Sequence, residues 1–210
     1  MTISAIILVI LSAFLHAIKV LLLKKSKNKE VFAFIYNGIG FVVLLPVVFI
    51  GPKVLLNIDL NGLVICAASG FLHFLFALFQ AKSLKSEELS IVYPIMRSYP
   101  ILVLPLGILI LGEECSPIAI IGIILVVFGV YIVNMSKLDL KNLMEPLNGI
   151  IKGGRAWALL AMVAISFLTI VDKLGIDIMR PEKYLIIHTI FTVIFYAVYI
   201  LMVFGVKSIK

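Results

Sequence analysis

Seven apolar runs, each about 17 to 23 residues long, occupy positions 3–23, 31–50, 60–81, 89–111, 117–133, 156–176 and 184–206. That length matches the ~20 residues a helix needs to cross a ~30 Å hydrocarbon layer at 1.5 Å per residue. Inside such a layer the backbone must satisfy its own N–H and C=O groups, which leaves helices or closed barrels. Barrel strands alternate apolar and polar side chains over ~10 residues. These runs are continuously apolar, so the expected fold is an all-α polytopic membrane protein with about seven transmembrane helices. Composition agrees, with 63% hydrophobic and 14% charged residues and a mean hydropathy of +1.22, which excludes a chain whose main solvent is water.

The first run has no basic residue ahead of it, is longer than the apolar part of a secretory signal, and ends in a lysine cluster. It is read as a retained helix. The net charge of +7 does not call for nucleic acid, because the basic residues sit in short connections between spans. Numbered in order, the odd connections and the C-terminal tail hold Lys24, Lys25, Lys27, Lys29, Lys82, Lys85, Lys137, Lys141, Lys152, Arg155, Lys207 and Lys210. The even ones hold only Lys53, Lys173, Arg180 and Lys183. This bias places the odd connections in the cytoplasm and Met1 outside. Cys66 and Cys115 are too few and too ill-placed for a disulfide framework or a metal site, and are read as small apolar filler.

The connections are short except for 135–155, which divides the chain into 1–134, the connector 135–155, and 156–210. In the connector, Leu140, Leu143, Met144 and Leu147 follow the i, i+3, i+4, i+7 rule beside Lys137, Lys141 and Glu145, as in a short helix lying on the membrane surface. Pro146 and the Gly153-Gly154 pair limit its length. Across the divide there is weak internal similarity. Ala13-Phe14-Leu15 aligns with Ser166-Phe167-Leu168, and at a neighbouring shift Glu30 falls on Glu182 and Tyr36 on His188. Together with the connector, these matches favour a duplicated bundle, the second unit entering the membrane in the opposite sense because the first has an odd number of spans.

The fourth run is the most unusual, with Pro94, Pro100 and Pro105 inside it and Arg97 among them. Each proline removes a backbone donor, so breaks are expected that free the carbonyls of Ser90, Met96 and Ile101. Tyr93, Arg97, Pro100 and Leu104 are expected to share one face. An arginine at mid-depth is costly facing lipid, so it is expected to face protein or a hydrated cavity. There it contacts an anion, gates by ion pairing, or serves structurally by bonding freed carbonyls.

Other polar residues within spans follow the same logic. His16 and Lys19 share a face of the first run and His73 and Gln80 a face of the third, so they are candidates to line a substrate path. The histidines could also couple transport to protons. Against this, Lys19 is near enough to its helix end to snorkel, and a membrane histidine often only donates an interhelical hydrogen bond. Asn37, His188, Thr189 and Thr192 are read as interhelical bonding residues. Asp172 and Lys173 are placed in the last turn of the sixth run, marking the interface. Gly122 and Gly129, seven apart, give a smooth strip for packing within the chain or for a dimer seam.

The run from Ser90 to Val133 resembles the fourth and fifth helices of the EamA-like family of the drug/metabolite transporter superfamily. It contains Tyr93-Pro94, Pro100, Gly112-Glu113, Gly122 and Gly129, and the first span is similar to that family's opening helix. The resemblance covers the first five spans. It implies two inverted five-helix repeats around a central cavity through which amino acids, metabolites, nucleotide sugars or drugs pass, with Tyr93 and Arg97 bordering the cavity and Glu113 as the helix-end acid. On this reading, residues 1–134 are a complete first repeat and 156–210 two helices of a second, so the chain is expected to be truncated or to need a partner. The family habit of cytoplasmic ends disagrees with the lysine bias.

The sequence therefore points to a secondary transporter, exporter or exchanger, of a small metabolite, amino acid or drug across the cytoplasmic membrane. The competing expectation is a non-transporting subunit or inactive fragment of such a carrier. No HExxH, paired-acid or Ser/His constellation supports an enzyme, so no catalytic residue, metal or cofactor is expected beyond a coupling proton. Expected partners are membrane lipid, a small-molecule substrate, and a second copy or complementary half, with no nucleic acid.

Overall fold

The computed structural model describes residues 3–50, 58–133 and 151–205. The helices are α1 (Ile3–Lys25), α2 (Lys29–Ile50), α3 (Leu60–Ser86), α4 (Leu89–Arg97), α5 (Pro100–Leu106, continued by a π-helical turn Gly107–Leu111), α6 (Pro117–Val133), α7 (Gly153–Ile178) and α8 (Pro181–Phe204). Among the described residues six spans are long and apolar enough to cross a membrane, α4 and α5 counting together. The remaining helix, α6, has 17 residues and is therefore about 25 Å long. The all-helical membrane fold stands. The expected surface helix in 135–155 falls mostly outside the described residues.

α3 is the central element, packing chiefly on α7 and then on α8, with α1, α2 and α4 also against it. Lipid offers no hydrophobic drive for one apolar helix to seek another, so close packing of small residues has to supply the attraction. α7 meets this need with Ala158, Ala161, Ala164 and Leu168, one buried row at helical spacing. At Gly154 an added Cβ would lie 2.7 Å from the Ser83 carbonyl oxygen, and at Gly70 it would lie 2.8 Å from the His188 carbonyl oxygen. Both glycines let α3 approach its neighbours at backbone distance. α1 is mostly exposed, but His16, Lys19, Val20 and Leu23 form its inward stripe at i, i+3, i+4, i+7.

Contacts at the helix ends fix the directions. Lys24 Nζ, at the end of α1, donates to the carbonyls of Leu84 (3.0 Å) and Glu87 at the end of α3. Ser83 Oγ donates to Gly154 O at the start of α7 (2.8 Å), and Tyr199 OH to Glu30 Oε2 between the end of α8 and the start of α2 (2.6 Å). The ends of α1, α3 and α8 and the starts of α2 and α7 thus gather at one end, which carries Lys24, Lys25, Lys27, Lys29, Lys82 and Lys85. At the other, Cys66 Sγ near the start of α3 meets Met179 Sδ beyond α7 at 3.8 Å. Accordingly α7 and α8 run opposite to α1 and α2.

Two expectations need correction. The fourth run is interrupted in one place, at Ser98–Tyr99, and not at each proline. Pro94 lies inside α4, which continues through it although the ring leaves the Ser90 carbonyl without its amide donor, and Pro100 occupies the first position of α5, where its fixed φ suits a helix start. Ser98 has ψ near 0 (φ −76°, ψ 2°), outside the regular helix. Pro105 is accommodated within α5 just ahead of the π turn, which ends at Gly112 in a left-handed conformation (φ 66°). Second, α7 continues to Ile178, so Asp172 and Lys173 are not in its last turn.

Candidate functional site

Arg97 ends α4 and turns toward α1. Its Nη2 donates to His16 Nε2, and its guanidinium carbon lies 5.0 Å from the centroid of the Tyr93 ring one turn back. Guanidinium only donates, so Nε2 is the accepting nitrogen and the His16 proton is on Nδ1. Among the described residues neither an acid nor a freed carbonyl takes this role. One turn beyond His16, the Lys19 ammonium sits 4.3 Å from the centroid of the Tyr36 ring on α2, an aromatic face that partly compensates a cation away from water. A cleft of about 400 Å³ opens beside them, lined by Leu8, Leu11, Ser12, Leu15, His16 and Tyr36. Two cations and two phenol rings thus meet where α1, α2 and α4 face one another, next to a space large enough for a small solute.

The structure divides the expected path residues. His16, Lys19, Tyr93 and Arg97 come together. His73 turns elsewhere, stacking on His188 of α8 with ring centroids 5.6 Å apart, and Gln80 is buried in α3. The face expected to run from Tyr93 and Arg97 through Pro100 and Leu104 is broken at Ser98. Pro100 and Leu104 line a separate cavity of about 390 Å³ between α5 and α6, with Glu113 at its rim. The Glu113 backbone N–H donates to Gly107 O at 3.2 Å and helps close the π turn. The freed acceptors were expected at Ser90, Met96 and Ile101, and a side-chain hydroxyl is found on a neighbour: Ser98 Oγ donates to Pro94 O (3.0 Å), while Ser166 Oγ from α7, which donates to Met162 O (2.7 Å), lies 3.3 Å from Tyr99 O.

Three residues assigned to interhelical bonding bond within their own helices. Asn37 Nδ2 donates to Ala33 O (2.7 Å), Thr189 Oγ1 to Leu185 O (2.6 Å) and Thr192 Oγ1 to His188 O (2.9 Å). A carbonyl one turn back has a spare lone pair within reach of a short side chain, and it wins over a distant partner. At Gly122 and Gly129, nothing among the described residues lies within 4 Å of an added Cβ.

Sequence reasoning missed the partners of Asp172. Its Oδ1 accepts from Ser69 Oγ on α3 and Tyr184 OH on α8, both at 2.6 Å. The signal was present, because Leu174, Ile176 and Ile178 continue the apolar pattern past Asp172 up to Pro181.

A bundle of membrane-length helices, here with two cations beside an open cleft, defines an integral multi-pass membrane protein. The profile of the EamA-like transporter family matches residues 3–135, more than half of the chain, and the protein belongs to that family. It is thereby a membrane transporter of the drug/metabolite superfamily. No curated protein and no solved structure matches the chain.

Proposed function

We propose that this protein is a secondary transporter, exporting or exchanging a small metabolite, amino acid or drug across the cytoplasmic membrane, and that Arg97 holds an anionic group of the solute. The carrying observation is the Arg97–His16 pair between α4 and α1, beside the cleft that His16 lines. A guanidinium at this depth is retained where it faces protein or water, and its planar fork suits a carboxylate or phosphate. His16 accepts one of its donors, Tyr93 covers one face, and the remaining N–H groups are the ones a solute anion would take. Lys19, on the same stripe of α1, adds a second positive charge.

The opposite directions of α1–α2 and α7–α8 support an inverted duplication, in which the site lies between repeats. The lysine-rich end is assigned to the cytoplasm on the charge bias. The open glycine face of α6 supports completion of the bundle by a second copy or complementary half.

Uptake of a panel of labelled metabolites into proteoliposomes tests the site. Arg97→Ala should lower uptake of the transported anionic solute at least about tenfold, in keeping with loss of one or more charge-assisted hydrogen bonds. Arg97→Lys should restore only part of it, because a point charge cannot reproduce the fork. Native-level uptake by Arg97→Ala would remove Arg97 from the site.

A further inference from the structure

A second group of polar side chains sits where α3, α7 and α8 meet, toward the end of the bundle opposite the lysine-rich one, and transport through the Arg97 cleft leaves it unused. Asp172 is bonded by Ser69 and Tyr184 as described. The Tyr184 ring also stacks on His188, one turn along α8, at 5.4 Å between centroids, so Tyr184 touches both groups. His188 in turn stacks on His73 of α3, the ring planes 17° apart. His188 is 8% exposed, and its Nδ1 is buried with no hydrogen-bond partner among the described residues. Glycines set this geometry: a Cβ added at Gly175 would fall 2.1 Å from the Tyr184 ring.

A carboxylate inside a membrane bundle and a buried imidazole nitrogen left unpaired are each expensive and each typical of ion or proton pathways. A metal cation needs a shell of several oxygen lone pairs. Here the hydroxyls of Ser69 and Tyr184 direct their hydrogens at Asp172, and the next side chains are imidazoles, so free oxygens are few. A proton needs one acceptor and a second group near enough to trade with, which a carboxylate, a phenol and an imidazole provide.

We propose that Asp172 is a proton-binding site, with His188 as the group that exchanges the proton with it, and that loading and unloading this site couples solute movement to a proton gradient. Loading takes one proton from water and converts the Asp172 carboxylate to a neutral carboxylic acid. Release passes the same proton by way of the His188 imidazole back to water. The charges facing the site from the packed elements are Lys183 at the start of α8, which acts on Cys66 of α3 in the sense opposite to Asp172, and Lys19 of α1, which acts on His73. Arg97 of α4 acts on Lys19, and the Lys173–Asp177 ion pair lies on the exposed side of α7 at 3.8 Å.

The coupling half rests on the transport reading and the binding half does not, so the test has two arms. Infrared difference spectroscopy on the full chain in liposomes, titrated between about pH 5 and 8, needs no solute. The carbonyl band of a protonated carboxyl should appear reversibly in the native chain and be lost in Asp172→Asn. In Tyr184→Phe, which keeps the carboxyl but removes one donor to its anion, the band should titrate at higher pH. Absence of a titrating carboxyl, or a band that survives Asp172→Asn, overturns the site. In the second arm an imposed pH gradient should drive accumulation of a labelled solute by the native chain, and Asp172→Asn should lose that accumulation. Accumulation that survives Asp172→Asn overturns the coupling. If no solute of the panel moves with the native chain while the carboxyl still titrates, the transport reading fails and the proton site stands.

Discussion

His16 and Arg97 illustrate how two residues that are costly apart become tolerable together. A guanidinium left without an acceptor inside the bundle forfeits a charge-assisted hydrogen bond worth about 1.5–3 kcal/mol, and the imidazole supplies that acceptor. His16→Leu should therefore lower the thermal stability of the detergent-solubilised protein by about that amount, whereas His16→Gln, whose amide oxygen can accept, should lose clearly less. Equal losses in a melting experiment would mean that the pair does not hold α4 to α1. The pairing itself could not be read from the chain. Spacing places His16 and Lys19 on one face and Tyr93 and Arg97 on another, but which faces meet depends on how α1 and α4 pack, and no local pattern encodes that. Asp172 was masked differently: a carboxylate followed by a lysine looks like an interface, although the apolar residues beyond it show that the helix goes on, and its hydrogen bonds to Ser69 and Tyr184 place it within the bundle.

At the scale of elements, hydropathy located the helices well because membrane length and backbone self-satisfaction leave little freedom. Where it failed, helical and non-helical chain share the same composition. Nothing in the apolar stretch around Pro94, Pro100 and Pro105 says that the turn falls only at Ser98–Tyr99, since the helices run on through Pro94 and Pro105 and a proline such as Pro100 is harmless in a first turn. The reverse holds at the end of α7, where Lys173 and Asp177 are four apart, pair on the helix surface, and carry the helix beyond the apolar run. Glycines act at this scale too. Gly70→Ala would force a Cβ to within 2.8 Å of the His188 carbonyl oxygen, a backbone atom that cannot step aside, so α3 and α8 must separate. An overpacking loss of about 1–3 kcal/mol is expected. Gly122→Ala, on the open face of α6, should leave the melting temperature of the monomeric chain unchanged.

For the whole molecule, family membership over residues 3–135 and the alternating directions of the helices describe a transporter bundle centred on α3. In the proposed inverted duplication, the shift that aligns Ala13 with Ser166 also sets Lys19 against Asp172, since 19 plus 153 is 172. One copy would then present a cation where the other presents an acid. The solute cleft and the proton site would be two uses of the same position. The solute cleft depends on water reaching the bundle interior beside His16 and Arg97. The most direct measurement is labelling by a membrane-impermeant thiol reagent in a chain whose Cys66 and Cys115 are replaced by alanine. Ser12→Cys, on the cleft wall, should react readily, while Leu125→Cys, 66% exposed on the apolar outer face of α6, should stay unlabelled in lipid. A cleft cysteine as unreactive as the outer one would show a dry interior and contradict the transport site.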